Sequence, residues 1–324
     1  MEKTILQRKL LLRGLAFVCL MMGLLEGTSC WAYQLPSVNL GATSFLDGGP
    51  PAGPGFYFTE YLQYYYSDKL TDQHGNRLLP SSANENLNVW ASLSQFIYQS
   101  NQQLLPSARW GLDVIVPVVS IDFNSTLPAP QDNGTGLGDV LVGPFLQWDP
   151  IMGCNGPLFM HRIEAQMIFP TGKYASNREL NPGSNFFSFD PYWAATVFIT
   201  PKWTASWRIH YLFNAENDNP NRQFAGANDT QAGQAVHLNF ATDYELWAKR
   251  LSAGLNGYYL KQFTDDQVDG RSLSGSREQV LGIGPGLVFH YSQNTHFFLN
   301  LYVETEAENR PEGIRLNMRY VQHF

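Results

Sequence analysis

From Gly55 to the final residue the chain repeats one pattern, in which segments of about 10 to 14 residues alternate apolar and polar side chains and end in turn-forming residues. A period of two places neighbouring side chains on opposite faces of a strand. The clearest case is 202–214. There Trp203, Ala205, Trp207, Ile209, Tyr211 and Phe213 share one face, while Lys202, Thr204, Ser206, Arg208, His210 and Asn214 share the other. In water so wide an aromatic face needs a second protein layer to cover it, whereas in a bilayer lipid covers it.

The same alternation predicts strands near 55–66, 86–99, 109–121, 138–149, 158–170, 188–200, 202–214, 233–246, 250–263, 278–291, 295–305 and 313–324. Long connections (67–85, 122–137, 171–187, 215–232 and 264–277) take turns with tight ones at Pro201, Trp247 to Lys249 and Ser292 to Asn294. Such regularity predicts an all-β fold, a transmembrane antiparallel up-and-down β-barrel of about 12 strands and bacterial outer-membrane type. Both termini would then be periplasmic. The last strand supports it, with Ile314, Leu316, Met318, Tyr320 and the terminal Phe324 on one face, interrupted by Gln322, and Arg315, Asn317, Arg319 and His323 on the other.

Composition agrees. The chain is 14% aromatic and 15% charged, against about 25% charged in an ordinary soluble domain, and its mean hydropathy of -0.23 suits strands that are apolar on one face only. Residues 1–32 read as a signal peptide, with a basic start (Lys3, Arg8, Lys9, Arg13), an apolar run from Leu15 to Leu25, and Cys30-Trp31-Ala32 as the cleavage signal. Removing that leader takes away four basic and two acidic side chains, which leaves 17 Lys+Arg against 26 Asp+Glu, a net of -9. Nucleic acid is therefore not an expected partner. Of the three cysteines only Cys154 lies beyond the leader, so the mature form has no intrachain disulfide and no cysteine-rich zinc site.

The stretch 33–54 is rich in Gly and Pro and has no strand period; it is either a periplasmic leader or a segment folded into the lumen of the barrel over 55–324. Its apolar Leu35, Val38, Leu40, Phe45 and Leu46 need cover. Room for them would come from Gly282, Gly284 and Gly286, which fall on the lumen side of one strand, although a bend there explains the same glycines.

No motif supplies chemistry. Gly134 to Asp139 and Gly282 to Gly286 lack the spacing of nucleotide loops, and 169–174 lacks the first Gly and the Ser or Thr of a P-loop. His290-Tyr291-Ser292 resembles the His-x-Ser element of the outer-membrane phospholipase, yet Gln293-Asn294 follows it and a strand running into a turn explains it. The seven histidines show no metal spacing, and no cofactor, metal or catalytic residue is called for. The lumen face collects Arg162, Glu164, Arg208, His210, His237, Asp243, Glu245, His296, Glu304, Arg315 and Arg319. Charges facing one another across a barrel pair and hold its shape. Solute-contacting candidates on this face are Arg162, Arg208, His210, Tyr192, Tyr302, Arg315 and Arg319; where the arginines are free they would favour weak anions such as aromatic carboxylates.

Several stretches taken in order carry a family resemblance: 50–57 (Pro-Pro-Ala-Gly-Pro-Gly-Phe-Tyr), 61–72 with Gly75, Gly136-Leu137-Gly138-Asp139 with Gly143-Pro144, 169–174, Pro182-Gly183-Ser184-Asn185 and Gly284-Pro285-Gly286. The chain resembles the outer-membrane proteins grouped under the meta-pathway of phenol degradation. That resemblance implies a transporter-like barrel for passive uptake of small hydrophobic or aromatic compounds, with outer-membrane lipids, the barrel-assembly machinery and those solutes as partners, and it brings no catalytic residues. Two other functions fit the pattern: a structural or surface-interaction barrel with a plugged lumen, and an outer-membrane enzyme of the lipase type.

Overall fold

The computed structural model describes residues 34–50, 52–127 and 130–324; the expected leader and its cleavage point at Ala32 lie outside them. Twelve antiparallel strands close into a barrel. They are β1 (Gly55–Leu70), β2 (Asn86–Leu105), β3 (Ala108–Asn124), β4 (Thr135–Leu137, Val140–Trp148 and Ile151–Gly153), β5 (Gly156–Glu164 and Met167–Phe169), β6 (Ser188–Phe189 and Tyr192–Thr200), β7 (Trp203–Asn214), β8 (Ala235–Trp247), β9 (Leu251–Gln262), β10 (Gln279–His290), β11 (Thr295–Glu308) and β12 (Pro311–His323). Each pairs with its successor, and β12 returns to β1 in a register running from Tyr57 opposite His323 to Leu70 opposite Pro311. Closure satisfies every strand edge, which the interior of a bilayer demands.

Two strands expected to be continuous are interrupted, at 165–166 in β5 and 190–191 in β6. Pro191 has no N–H to give to the ladder. Asp190 N donates instead to Gln166 O at 2.8 Å, and Pro191 O accepts from Tyr211 N at 3.1 Å, so the two breaks face each other across the wall. β1 and β2 run beyond their expected ends at 66 and 99, to Leu70 and Leu105, because ladder pairing continues past the last alternating side chain.

Along β7 the outward Trp203, Ile209, Tyr211 and Phe213 are exposed, while Thr204, Ser206, Arg208, His210, Leu212 and Asn214 are buried. Leu255, Leu287, Leu299, Leu301 and Met318 continue the exposed apolar surface around the barrel. A soluble protein rarely leaves such a band uncovered. Long connections gather at one end, where Glu216–Asn217, Thr230–Gln231, Gln267–Val268 and Arg271–Ser272 pair into a small second sheet that side-chain alternation had not revealed. The other end carries the tight turns.

The buried core lies inside the barrel. Leu35 and Leu40 pack with Leu212, Tyr258, Leu260 and Tyr302 from the wall, and Val38 packs against them. Phe45 packs with Tyr57, Val288 and Phe298.

Candidate functional site

Residues 34–50 run down the lumen from the long-loop end towards the tight-turn end, held at each level by inward side chains. At the top, Glu278 Oε1 accepts from Gln34 N and Leu35 N, both at 3.2 Å, and Asp266 Oδ2 accepts from Gln34 Nε2 at 3.2 Å. Midway, Gly41 N donates to Asn239 Oδ1 at 3.0 Å, and Gly41 O accepts from Tyr302 OH and Asn317 Nδ2, each at 2.9 Å. Gly41 has φ +75°, and an added Cβ would lie within 2.6 Å of the Tyr302 ring. Only glycine fits that turn.

Lower down, Asn300 Nδ2 donates to Ser44 Oγ at 3.0 Å, and Phe45 is fully buried against Gly286. Any side chain at 286 would collide with the Phe45 ring, while one at 282 would collide with Tyr258. Both of these glycines therefore make room for a ring. Asp47 grips Arg208 with both oxygens, at 2.7 and 2.8 Å. Gly48 N donates to Thr196 Oγ1 at 2.8 Å, and Gly48 O accepts from Gln147 Nε2 at 3.0 Å.

The upper anchor is pH-sensitive. Burial pushes the Asp266 carboxyl up to about 8 and the Glu278 carboxyl up to about 7, the latter against the pull of Arg310. Raised values mean that the folded state favours the protonated acids. The stabilisation is fully present below about pH 4, the range in which unfolded carboxyls are also protonated, and is lost as pH rises through 7 and 8. Amide exchange of Gln34 and Leu35, corrected for its intrinsic pH dependence, should accordingly accelerate between pH 5 and pH 9. Equal protection across that range would contradict the assignment.

Below Asp47 the lumen opens into a cavity of about 730 Å³ at the tight-turn end. Of the expected solute-contacting residues, Arg162, Arg208 and Arg319 border it. The other four serve the wall and the segment. Tyr302 is sealed beneath Gly41, and Tyr192 OH donates to Glu164 Oε2 at 2.5 Å. Arg315 lies 4.9 Å from the Tyr65 ring centre beside Glu304, which accepts from Tyr65 OH at 2.6 Å and Tyr258 OH at 2.7 Å. His210 is held by Asp190.

Asp190 joins two histidines, accepting from His210 Nδ1 at 3.1 Å and from His237 Nε2 at 3.0 Å. These three are close enough together to be considered for a metal, a juxtaposition that chain spacing concealed. The imidazoles, however, stack at 4.0 Å with 17° between their planes. Their in-plane lone pairs run side by side, so one ion at about 2.0 to 2.1 Å from each nitrogen could not lie in both ring planes. The cluster is a carboxylate clasp that holds β7 and β8 to the break in β6. His290 and Ser292 are likewise uncoupled: His290 Nδ1 bonds His296 Nδ1 at 2.7 Å, and Ser292 Oγ accepts from Asn294 N at 3.1 Å.

Sequence reasoning missed Asp47, Asp190 and the grip of the inward asparagines Asn239, Asn300 and Asn317 on the segment, although it placed Asn317 on the inward face. The asparagines did leave a signal, each standing as a lone amide between outward apolar neighbours, such as Leu299 and Leu301 around Asn300.

A closed twelve-stranded barrel with an apolar outer band and its first described residues in the lumen defines the class: an outer-membrane β-barrel. Residues 67–320 match the model of the family described as "Putative MetA-pathway of phenol degradation", and the chain belongs to that family. Among solved structures it is similar to an outer membrane channel from Pseudomonas putida F1, with TM-score 0.73 and 18% identity over 89% of this chain and 100% of that one. It is also similar to the β domain of the Bordetella autotransporter BrkA, with TM-score 0.46 and 10% identity over 84% of this chain and 100% of the other. No curated protein sequence matches it.

Proposed function

We propose that this protein is a passive outer-membrane channel for small hydrophobic or aromatic compounds, with no chemistry of its own. In this reading the long loops face outward and the last strand ends on the periplasmic side, while Gln34, beside Glu278, lies towards the outward end and not in the periplasm where strand parity alone would put it. The observation that carries it is the cavity of about 730 Å³, in which Leu46, Ile97, Met160, Phe198 and Val321 line an apolar wall broken by a few charged groups. A chamber of that size and mixed lining suits a molecule with an apolar body and a polar tip. Family membership and the likeness to a barrel described as a channel support it by association.

One observation favours a second reading, a structural barrel with a closed lumen: 34–50 occupies the middle of the pore. Transport requires that this segment leave a path or yield one. Proteoliposomes carrying the purified barrel should admit phenol and benzoate faster than a neutral sugar of similar size. If none of the three enters while the protein is demonstrably folded, transport is lost and the structural reading takes its place.

A further inference from the structure

The four lumen arginines are unequally satisfied. Arg208 has Asp47, and Arg162 donates to Gln147 Oε1 at 3.1 Å with Glu164 at 4.0 Å. Arg315 donates to Tyr258 OH at 3.4 Å beside Glu304. Arg319 differs. Its guanidinium lies 3.6 Å from the centre of the Phe298 ring, its side chain borders the cavity at 8% exposure, and its Nε is buried without a hydrogen-bond partner. Among the described residues no carboxylate is in ion-pair reach of it. A buried guanidinium N–H without an acceptor is costly to maintain, and stacking on an aromatic face offsets only part of that.

The surroundings point the same way. The cavity is bordered by five permanent cations, Arg162, Arg208, Lys249, Arg250 and Arg319, against two carboxylates, Asp47 and Glu245. A cavity with that balance draws anions despite the acidic net charge of the chain, because distant surface charge is screened within roughly 8 to 10 Å. A guanidinium also presents a planar fork that a carboxylate meets with two hydrogen bonds.

We propose that Arg319, backed by Phe298, is the head-group site of the cavity and that it takes a carboxylate carried on an aromatic or alkyl body. The site rests on the channel reading above and names the solute class. The apolar body lies along Ile97, Phe298 and Val321, and the carboxylate supplies the acceptor that the wall withholds. Arg208 stays paired with Asp47 and holds the segment instead of the solute.

The test uses the full barrel in lipid nanodiscs, with calorimetric titration of 2-naphthoate, 2-naphthylmethanol and 2-naphthylmethylammonium, and the same three probes in proteoliposome entry assays. The carboxylate should bind about tenfold or more tightly than the alcohol, as expected for a charge-assisted bidentate contact, with the ammonium weakest. In Arg319→Gln the carboxylate-to-alcohol ratio should fall towards one, and Arg319→Lys should recover part of it. Because either variant can fail to assemble, the wild-type ratio stands as a test alone: equal binding of carboxylate and alcohol overturns the site. A ratio unchanged in Arg319→Gln overturns it too. If the alcohol enters and the carboxylate shows no preference, the head-group site fails and the channel survives. If no probe binds or enters, both fail.

Discussion

Deleting residues 34–50 should raise single-channel conductance several-fold, the largest functional change any single alteration of this protein is expected to produce. The segment fills the barrel from Gln34 beside Glu278 down to Gly48 beside Thr196, and the groups that hold it are polar enough to be rehydrated once it is gone. Planar-bilayer recordings would measure the change, with the shift in gel mobility on boiling as the control for assembly. An unchanged conductance in a correctly assembled deletion would retire the idea that the segment occludes the pore. Asp47→Asn is the milder version, since it leaves Arg208 buried without its counter-charge, a change that costs about 3 to 5 kcal/mol when one partner of a buried pair is removed. It should loosen the lower half of the segment and produce brief openings on top of the parental current.

Ile209→Arg should abolish assembly. Ile209 points outward from the middle of β7, and an arginine facing lipid near the midplane costs about 2 to 4 kcal/mol. The folded, heat-modifiable band should be lost, whereas Ile209→Leu should assemble normally. The comparison with Ser206→Arg is sharper than alternation alone suggests. Facing the lumen makes that position look tolerant, but Ser206 Oγ lies 2.9 Å from Thr196 Oγ1, which also holds Gly48. An arginine there should assemble and dislodge the segment, giving a folded barrel with raised conductance. If Ser206→Arg fails to fold and Ile209→Arg folds, the assigned faces are reversed, since a slip of one residue exchanges them.

The wall was legible because lipid on one side and a packed lumen on the other impose one rule on every residue, and that rule repeats along each strand. Trp203 to Asn214 reads correctly from alternation alone for this reason. Its end points were less legible, since ladder pairing carries β2 on to Leu105 through Gln102 and Gln103, where both faces are exposed. The interior obeys no such period. Nothing local to Asp47 places it against Arg208, 161 positions away, and nothing local to Asp190 places it between His210 and His237. Pro191 carries a signal for a break that the alternation over 188–200 passes over, and the partner of that break, at Gln166, follows only from the pairing of β5 with β6. Among the charged lumen residues, alternation gave the face and could not give the partner. For that reason Arg319 and Arg208 read alike in the sequence, although only Arg208 meets Asp47 of the segment.

That the chain's first described residues lie inside a cylinder made from all the rest has a kinetic consequence. Gly41 touches Asn239, Tyr302 and Asn317, which are 198, 261 and 276 positions further on. These are among the longest loops the chain can close, so their contacts belong to the slowest class of folding events. The seam between β1 and β12 joins equally distant stretches, and once it shuts, the inside can be reached only through the two open ends. Threading and closure are thus one event, and the order of synthesis matters: residues 34–50 must wait for the last strand before their contacts can form. A bulky domain fused to the amino terminus would have to pass through the ring or be held outside it, and would stall the molecule at its final step.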